Sequence, residues 1–272
     1  MTRITKTFLL ASAVAGMLQT APVLAADMPV KAPEPVAVDV WNPWMVRVRV
    51  VGVLPRDSGS LYIPDPTLNA TLAGAGLSTV NPVPGNPLAV SKTVIPEIDI
   101  SYFFTPNIAL ELILGVTPHK VAGQGLLAGL DVAQTWLLPP TLTLQYHFTN
   151  FGAFKPYIGG GVNYTMFFNT TGSNIPAVVP LTAPIGVPLT VTSLHVKDSF
   201  APVAQIGFDY MLTKNVGVNF DVKKLWLRPQ WNGSIAVGDA AAAPALFPTP
   251  FAMNGKVNLD PWLVGGGVTY KF

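Results

Sequence analysis

Eight stretches of the chain alternate apolar and polar residues with a period of two, separated in turn by short and long spacers. The clearest pair sets Ile98, Ile100, Tyr102 and Phe104 against Glu97, Asp99 and Ser101. It is followed by Ile108, Leu110, Leu112, Leu114 and Val116, with Glu111 on the opposite side. A strand turns successive side chains to opposite faces, so each stretch reads as a β-strand with one oily face. Thr105-Pro106-Asn107 between them has the residues of a tight turn. The first strand, Trp44 to Leu54, puts Trp44, Val46, Val48, Val50 and Leu54 on one face and Arg47 and Arg49 on the other. The others run Thr141 to Phe148, Tyr157 to Phe168, Phe200 to Met211, Val216 to Arg228 and Pro261 to Phe272.

Eight such strands make either a soluble sandwich or a barrel in lipid, and composition separates the two. Half the residues are hydrophobic and only 11% are charged, against about 25% in soluble domains. Beyond the N-terminus no uninterrupted apolar run approaches the roughly 18 residues of a membrane helix. Lipid-facing residues diluted by every other position give this profile in a membrane β-barrel. The N-terminus carries Arg3 and Lys6, an uncharged run from Thr7 to Leu24, and Val23-Leu24-Ala25-Ala26. This is the pattern of a secretory signal peptide, 1–25, cut after Ala25 or Ala26. The proline-bearing segment 26–43 is then an extended periplasmic lead-in, and 44–272 the barrel. There is no Cys, so stability in an exported chain has to come from the core or the membrane. With Arg3 and Lys6 removed, fourteen basic residues balance fourteen acidic ones. No clustered basic footprint for nucleic acid remains.

The spacers at 105–107, 150–152 and 213–215 are tight turns. Those at 55–94, 118–139, 169–197 and 229–255 are long and rich in Pro, Gly and Ala. Within the second, Gln124 to Trp136 is a candidate short helix. Turns at one end and long loops at the other are the asymmetry of outer-membrane barrels. The expected fold is therefore all-β: an eight-stranded antiparallel transmembrane up-and-down barrel with long extracellular loops. An even strand count places both termini in the periplasm. Lys224 breaks the alternation of its strand, and Asp260 points to a bulge near Pro261.

The inner faces collect Arg47, Arg49, Lys223 and Lys271 against Glu97, Asp99, Glu111, Asp209 and Asp221, together with His147. Side chains fill a barrel of this size, so these groups should pair across it, leaving no water channel for ions or sugars. Glu or Asp neighbours should hold His147. Catalysis has little to stand on. His119 and His195 fall in or beside loops, and Ser193, His195 and Asp198 share one irregular segment. No metal-ligand spacing and no cofactor motif occurs. The loops hold Leu61, Tyr62, Ile63, Leu72, Leu77, Ile175, Val178, Val179, Ile185, Phe247 and Phe251. Such apolar clusters either bind something or pack on one another. The last strand ends on Tyr270 and Phe272, which resembles the terminal insertion signal of bacterial outer-membrane barrels.

Several of these segments resemble the OmpW family, which includes the AlkL-type alkane-uptake proteins. Pro43-Trp44-Met45-Val46-Arg47-Val48-Arg49 with Gly52-Val53-Leu54-Pro55 is similar to its first strand, and Pro96 to Phe104 to its second. Asn107 to Glu111, Leu138 to Tyr146, Pro156 to Gly159, Gly161 to Thr165, Asp221 to Trp226 and Leu259 to Trp262 follow it as well. The resemblance implies a hydrophobic extracellular channel for small lipophilic solutes over a polar lower barrel, with a lateral exit through the wall. It assigns Leu54 and Trp226 to the channel lining, Trp226 at the floor. The implied partners are outer-membrane lipids and lipopolysaccharide, the barrel-insertion machinery and the solute, and the implied state is a monomer. The loops are longer and richer in Pro and Ala than the family leads one to expect, which leaves the solute open. A structural or surface-interaction barrel, serving envelope integrity, adhesion or phage attachment, is the other function this pattern allows, and an ion-conducting pore a third.

Overall fold

Among the described residues the chain forms fifteen strands and one α-helix. In order these are β1 (Trp44–Leu54), β2 (Ser58–Tyr62), α1 (Pro66–Gly74), β3 (Leu88–Val90), β4 (Thr93–Phe103), β5 (Ile108–Gly115), β6 (Thr117–Gly123) and β7 (Asp131–Leu138). They continue with β8 (Thr141–His147), β9 (Phe154–Gly172), β10 (Leu189–Val196), β11 (Ser199–Met211), β12 (Val216–Leu225), β13 (Gln230–Val237), β14 (Phe251–Asn258) and β15 (Trp262–Lys271). This computed structural model describes residues 41–272 apart from 57, 75, 77–79 and 239–249. The expected signal peptide and nearly all of the lead-in lie outside them.

Every barrel contact is antiparallel, running β1-β4-β5-β8-β9-β11-β12-β15 and back to β1. Closure leaves no strand edge without a partner, which lipid requires because it cannot hydrogen-bond a bare backbone. Register follows the alternation. Arg47 stands opposite Asp99 on β4, and Arg49 opposite Glu97, so unlike charges meet directly across the first ladder. The outward faces carry Val48, Val50, Ile98, Leu144, Ile158 and Val268 in the open. At the short-turn rim Trp44, Tyr102 and Phe104 meet edge to edge, as do Tyr146 with Phe148 and Tyr270 with Phe272. Near the other end Trp226, Trp262 and Phe200 stand exposed. Two aromatic rings flanking an apolar band are the girdles of a membrane barrel. No helix among the described residues is long and apolar enough to cross a membrane.

The long spacers are not irregular loops. The nineteen-residue β9 runs beyond the barrel; β7 pairs along its far end, β6 on β7 and β3 on β6. A second sheet, β10-β13-β14-β2, packs beside them. Asp65 caps helix α1 from the position before it, its carboxylate accepting the Leu68 N–H at 2.8 Å. One turn apart, Leu68 and Leu72 enter a core with Leu61, Ile63, Val179 and Phe251. Packing on one another thus accounts for those apolar loop residues, whereas Tyr62, Ile175, Val178 and Ile185 are exposed. Leu77 and Phe247 lie outside the described residues.

Two local expectations are corrected. The segment from Gln124 to Trp136 is not a helix: only Gly125–Leu127 makes a 3-10 turn, and β7 begins at Asp131. Gly125 and Gly129 both take positive φ, which ends a helix and starts a hairpin. Near Pro261 the ladder stops rather than bulges, the last β15 pairs being Trp262 with Leu54 and with Lys224. Asp260, at φ 29°, turns out of the strand. Its carboxylate accepts from Arg228 Nε and Nη2 at 3.1 and 2.9 Å. Lys224 Nζ donates to the Asp260 carbonyl and lies 5.0 Å over the Trp262 ring, so the residue that breaks the alternation sits in the upper aromatic girdle.

Candidate functional site: a closed charge network beneath an apolar cavity

The inward residues of β1 anchor the lower lumen. Arg47 forks onto Asp209, Nε to Oδ1 at 3.0 Å and Nη2 to Oδ2 at 2.7 Å, and also donates to Glu111 and Ser101. Arg49 Nη2 lies 2.6 Å from Asp99 and 2.9 Å from Glu97, and its Nη1 lies 3.4 Å from Asp221. Lys223 bridges Glu97 at 2.8 Å and Asp221 at 2.9 Å. All eight of these ionic side chains are buried. Five carboxylates face three cations; neutral donors serve Glu111, Asp221 and Asp209, whereas the Asp99 oxygens accept no hydrogen bond and rest on the ion pair with Arg49. Gln205 reaches Glu111 and Asp221, Tyr157 reaches Asp221, and Thr269 and Asn219 reach Asp209. A buried carboxylate is tolerable when its oxygens are hydrogen-bonded as well as paired.

Two residues expected in the network stand apart from it. Lys271 makes no ion pair among the described residues; its ammonium lies 4.8 Å over the Phe103 ring. As the last residue of β15, at the short-turn rim, it can keep part of its hydration. His147 is held by neither Glu nor Asp. Its Nε2 meets Gln145 Oε1 at 2.9 Å, and its ring is 4.9 Å from those of Phe103 and Tyr157. The neutral partners Ser101, Gln145, Tyr157, Gln205, Asn219 and Thr269 were the functional residues missed. Their signal was the same alternation, since each falls on an inward position.

Directly above lies a cavity of about 100 Å³. Glu97 and Lys223, the uppermost ion pair, form part of its boundary, and its walls are Val53, Ile95, Ile113, Leu137, Leu225 and Leu227 with Pro55, Pro139, Pro229 and Pro261. Leu54 and Trp226 are not in that lining. They are 41% and 42% exposed on the outer face, and their neighbours Val53, Leu225 and Leu227 take the inward positions. Period two explains the correction: a one-residue error in assigning a lining residue puts it in lipid. Tyr270 and Phe272 also face outward, and the Phe272 N–H donates to the Trp44 carbonyl at 3.2 Å.

Ser193, His195 and Asp198 do not converge. Ser193 Oγ pairs with Ser234 Oγ at 2.6 Å, His195 stands opposite Asn232, and Asp198 accepts from Phe167 N and Tyr164 OH. His119 belongs to the cavity wall, its Nδ1 2.8 Å from the Ser91 carbonyl. An apolar chamber on a closed ionic floor can hold a small lipophile.

Known proteins are similar to this chain in the arrangement of strands and in sequence. The model of the OmpW family matches residues 72–272. The chain belongs to the OmpW family. An uncharacterized outer-membrane protein, y4mB of Sinorhizobium fredii, is 43% identical over 85% of the chain and 80% of its own length. Outer membrane protein W of Vibrio cholerae is 30% identical over 84% of the chain and 88% of its own. The crystal structure of OprG from Pseudomonas aeruginosa superposes with a TM-score of 0.63 at 26% identity, covering 84% of the chain and 95% of OprG. The chain is thus an outer-membrane β-barrel of this family, and its girdles are those of the outer membrane.

Proposed function

We propose that this barrel passes small hydrophobic molecules across the outer membrane. They enter the apolar cavity from the cell surface and leave sideways through the wall rather than down the axis. The observation that carries the reading is the cavity's floor. Directly beneath it, Arg49, Glu97, Asp99, Asp221 and Lys223 close the lumen with ion pairs, where a lipophile would have to break buried contacts to proceed. The long-loop extension then faces outward, the short turns and both termini face the periplasm, and the barrel works as a monomer without catalysis or cofactor. Tyr270 and Phe272 serve the insertion machinery, and lipid and lipopolysaccharide surround the girdles.

The exit we assign lies between β11 and the segment following β12. The Trp226 N–H donates to the Pro202 carbonyl at 3.2 Å, and the Lys197 N–H to the Gln230 carbonyl at 2.9 Å. Between those two bonds, among the described residues, no backbone hydrogen bond joins 198–201 to 227–229. Leu227 and Pro229 of that segment also line the cavity.

Uptake of n-octane into lipid vesicles bearing the purified barrel tests the function. Flux should rise well above protein-free vesicles; equal rates would reject transport and favour the surface-interaction role. Leu227→Trp puts a larger ring into the cavity beside the exit and should cut flux at least about tenfold, because it occupies space the solute needs. Trp226→Leu, one residue away but outside, should leave flux unchanged. Since the chain has no Cys, a second test is clean. Ala201 and Leu227 pack in one cluster, so an Ala201→Cys/Leu227→Cys disulfide should stop flux when oxidised and release it when reduced. Unaltered flux through the oxidised form would rule out this exit.

A further inference from the structure

Most polar side chains on the cavity wall are already paired. Glu97 holds Lys223, Thr135 Oγ1 meets Thr170 Oγ1 at 2.7 Å, and Thr165 Oγ1 donates to Asn163 Oδ1 at 2.6 Å. Asn163 Nδ2 donates to Thr141 Oγ1 at 2.8 Å, and Thr141 to the Pro139 carbonyl at 3.0 Å. Three groups are left over, the Thr117 hydroxyl, His119 Nε2 and the Trp231 indole N–H, and the first two are neighbours. Thr117 and His119 both line the cavity from the inward face of β6, two residues and so about 7 Å apart along the strand. The Thr117 hydroxyl is buried without a partner. His119 is 6% exposed. Its Nδ1 faces the Ser91 carbonyl, which can only accept, so Nδ1 carries the proton. Burial holds the imidazole below its ordinary pKa and therefore neutral. Nε2 is then a bare acceptor, with no partner among the described residues.

We infer that the solute this cavity selects is a hydroxyl-bearing lipophile, an alcohol or phenol, whose O–H donates to His119 Nε2 while its oxygen accepts from the Thr117 hydroxyl. This rests on the cavity being a solute site. A hydroxyl is donor and acceptor at once, so a single group satisfies both orphans. A hydrocarbon satisfies neither and an ether only Thr117. Leaving buried polar groups unpaired is what makes a site reject the analogue that lacks the group. The rest of the molecule packs against Val121, Leu137 and Leu194, which continue the wall in apolar side chains.

The test uses the full barrel in lipid nanodiscs with histidine labelled in nitrogen-15, and three probes: 1-octanol, its isomer heptyl methyl ether, and n-octane. The expected result is that octanol binds about fivefold more tightly than the ether or more, the worth of one net hydrogen bond, and moves the Nε2 resonance of His119. His119→Phe and Thr117→Val, with folding checked by heat-modifiable gel mobility, should each abolish that preference while n-octane still binds. Equal binding of the three probes by the wild type would overturn the hydroxyl assignment and leave transport standing. Octanol preference without a shift at His119 Nε2 would overturn it too, even if neither variant folds. Binding of none would overturn transport and this inference together.

Discussion

Replacing Arg47 with Ala should cost the barrel about 3–5 kcal/mol of stability, the scale for removing one partner of a buried ionic pair. Arg47 has no exposure at all, and it holds Asp209 in a two-bond fork together with Glu111 and Ser101. Taking it away leaves two carboxylates facing each other across a lumen that already holds five acids for three cations. Thr269 and Asn219 remain as donors to Asp209, and Gln205 and Ser101 as donors to Glu111. The measurement is urea unfolding of the barrel in lipid vesicles, followed by gel mobility and tryptophan fluorescence. Arg47→Lys keeps the charge but gives up the planar fork, so it should fall between Ala and wild type. Arg47→Ala combined with Asp209→Asn should recover part of the loss, because one orphaned charge is gone. Because the pairs are buried, 1 M salt should leave the difference nearly unchanged. A loss under about 1 kcal/mol, or one that salt erases, would mean the network is hydrated and behaves as surface pairs do.

The lower half of the molecule was legible in the sequence because a barrel strand leaves little freedom. Once Trp44, Val48 and Val50 face lipid, Arg47 and Arg49 must face the lumen, and Glu97, Asp99 and Glu111 follow by the same parity. The partners that complete the network were equally inward but neutral, and a charge-led reading passes over Gln145, Tyr157 and Asn219. The same parity also placed Leu54 and Trp226 outside, against the lining role the family resemblance gave them. The upper half was harder to read. Pro or Gly interrupts the alternation of β6, β13 and β14, and bulges shift the register between Val121 and Ala122, between Gln134 and Trp136 and between Val191 and Ser193. Those strands pair far along the chain, β2 with β14 for example, and local pattern carries no trace of that. His119 looked like a loop histidine for this reason. Only the pairing of β6 with β7 turns it toward the cavity.

The glycine runs, finally, predict a contrast between adjacent positions. Gly161→Ala should destabilise the barrel by about 3 kcal/mol or more, beyond the usual overpacking range, and Gly160→Ala should fall within about 0.5 kcal/mol of wild type. Gly161 faces the lumen, where an added Cβ would run into the Leu142 carbonyl and stand 2.7 Å from Thr143 Cα. Both are backbone atoms of the paired strand and cannot rotate away. A Cβ on Gly160 faces outward and meets nothing nearer than 3.7 Å. Gly267 repeats the case on β15. It lies opposite Arg49 and Asn219, and its Cβ would strike the Val48 carbonyl, so Gly267→Ala should be as damaging as Gly161→Ala. None of these positions takes a positive φ, so the requirement is for space and not for backbone freedom. Unfolding the variants in urea beside Gly160→Ala separates the two explanations. Equal losses at Gly160 and Gly161 would point to a generic cost of substituting strand glycine. A loss confined to the inward positions means that a lumen holding two arginines, a lysine and five carboxylates closes only where the strands between them come together without side chains.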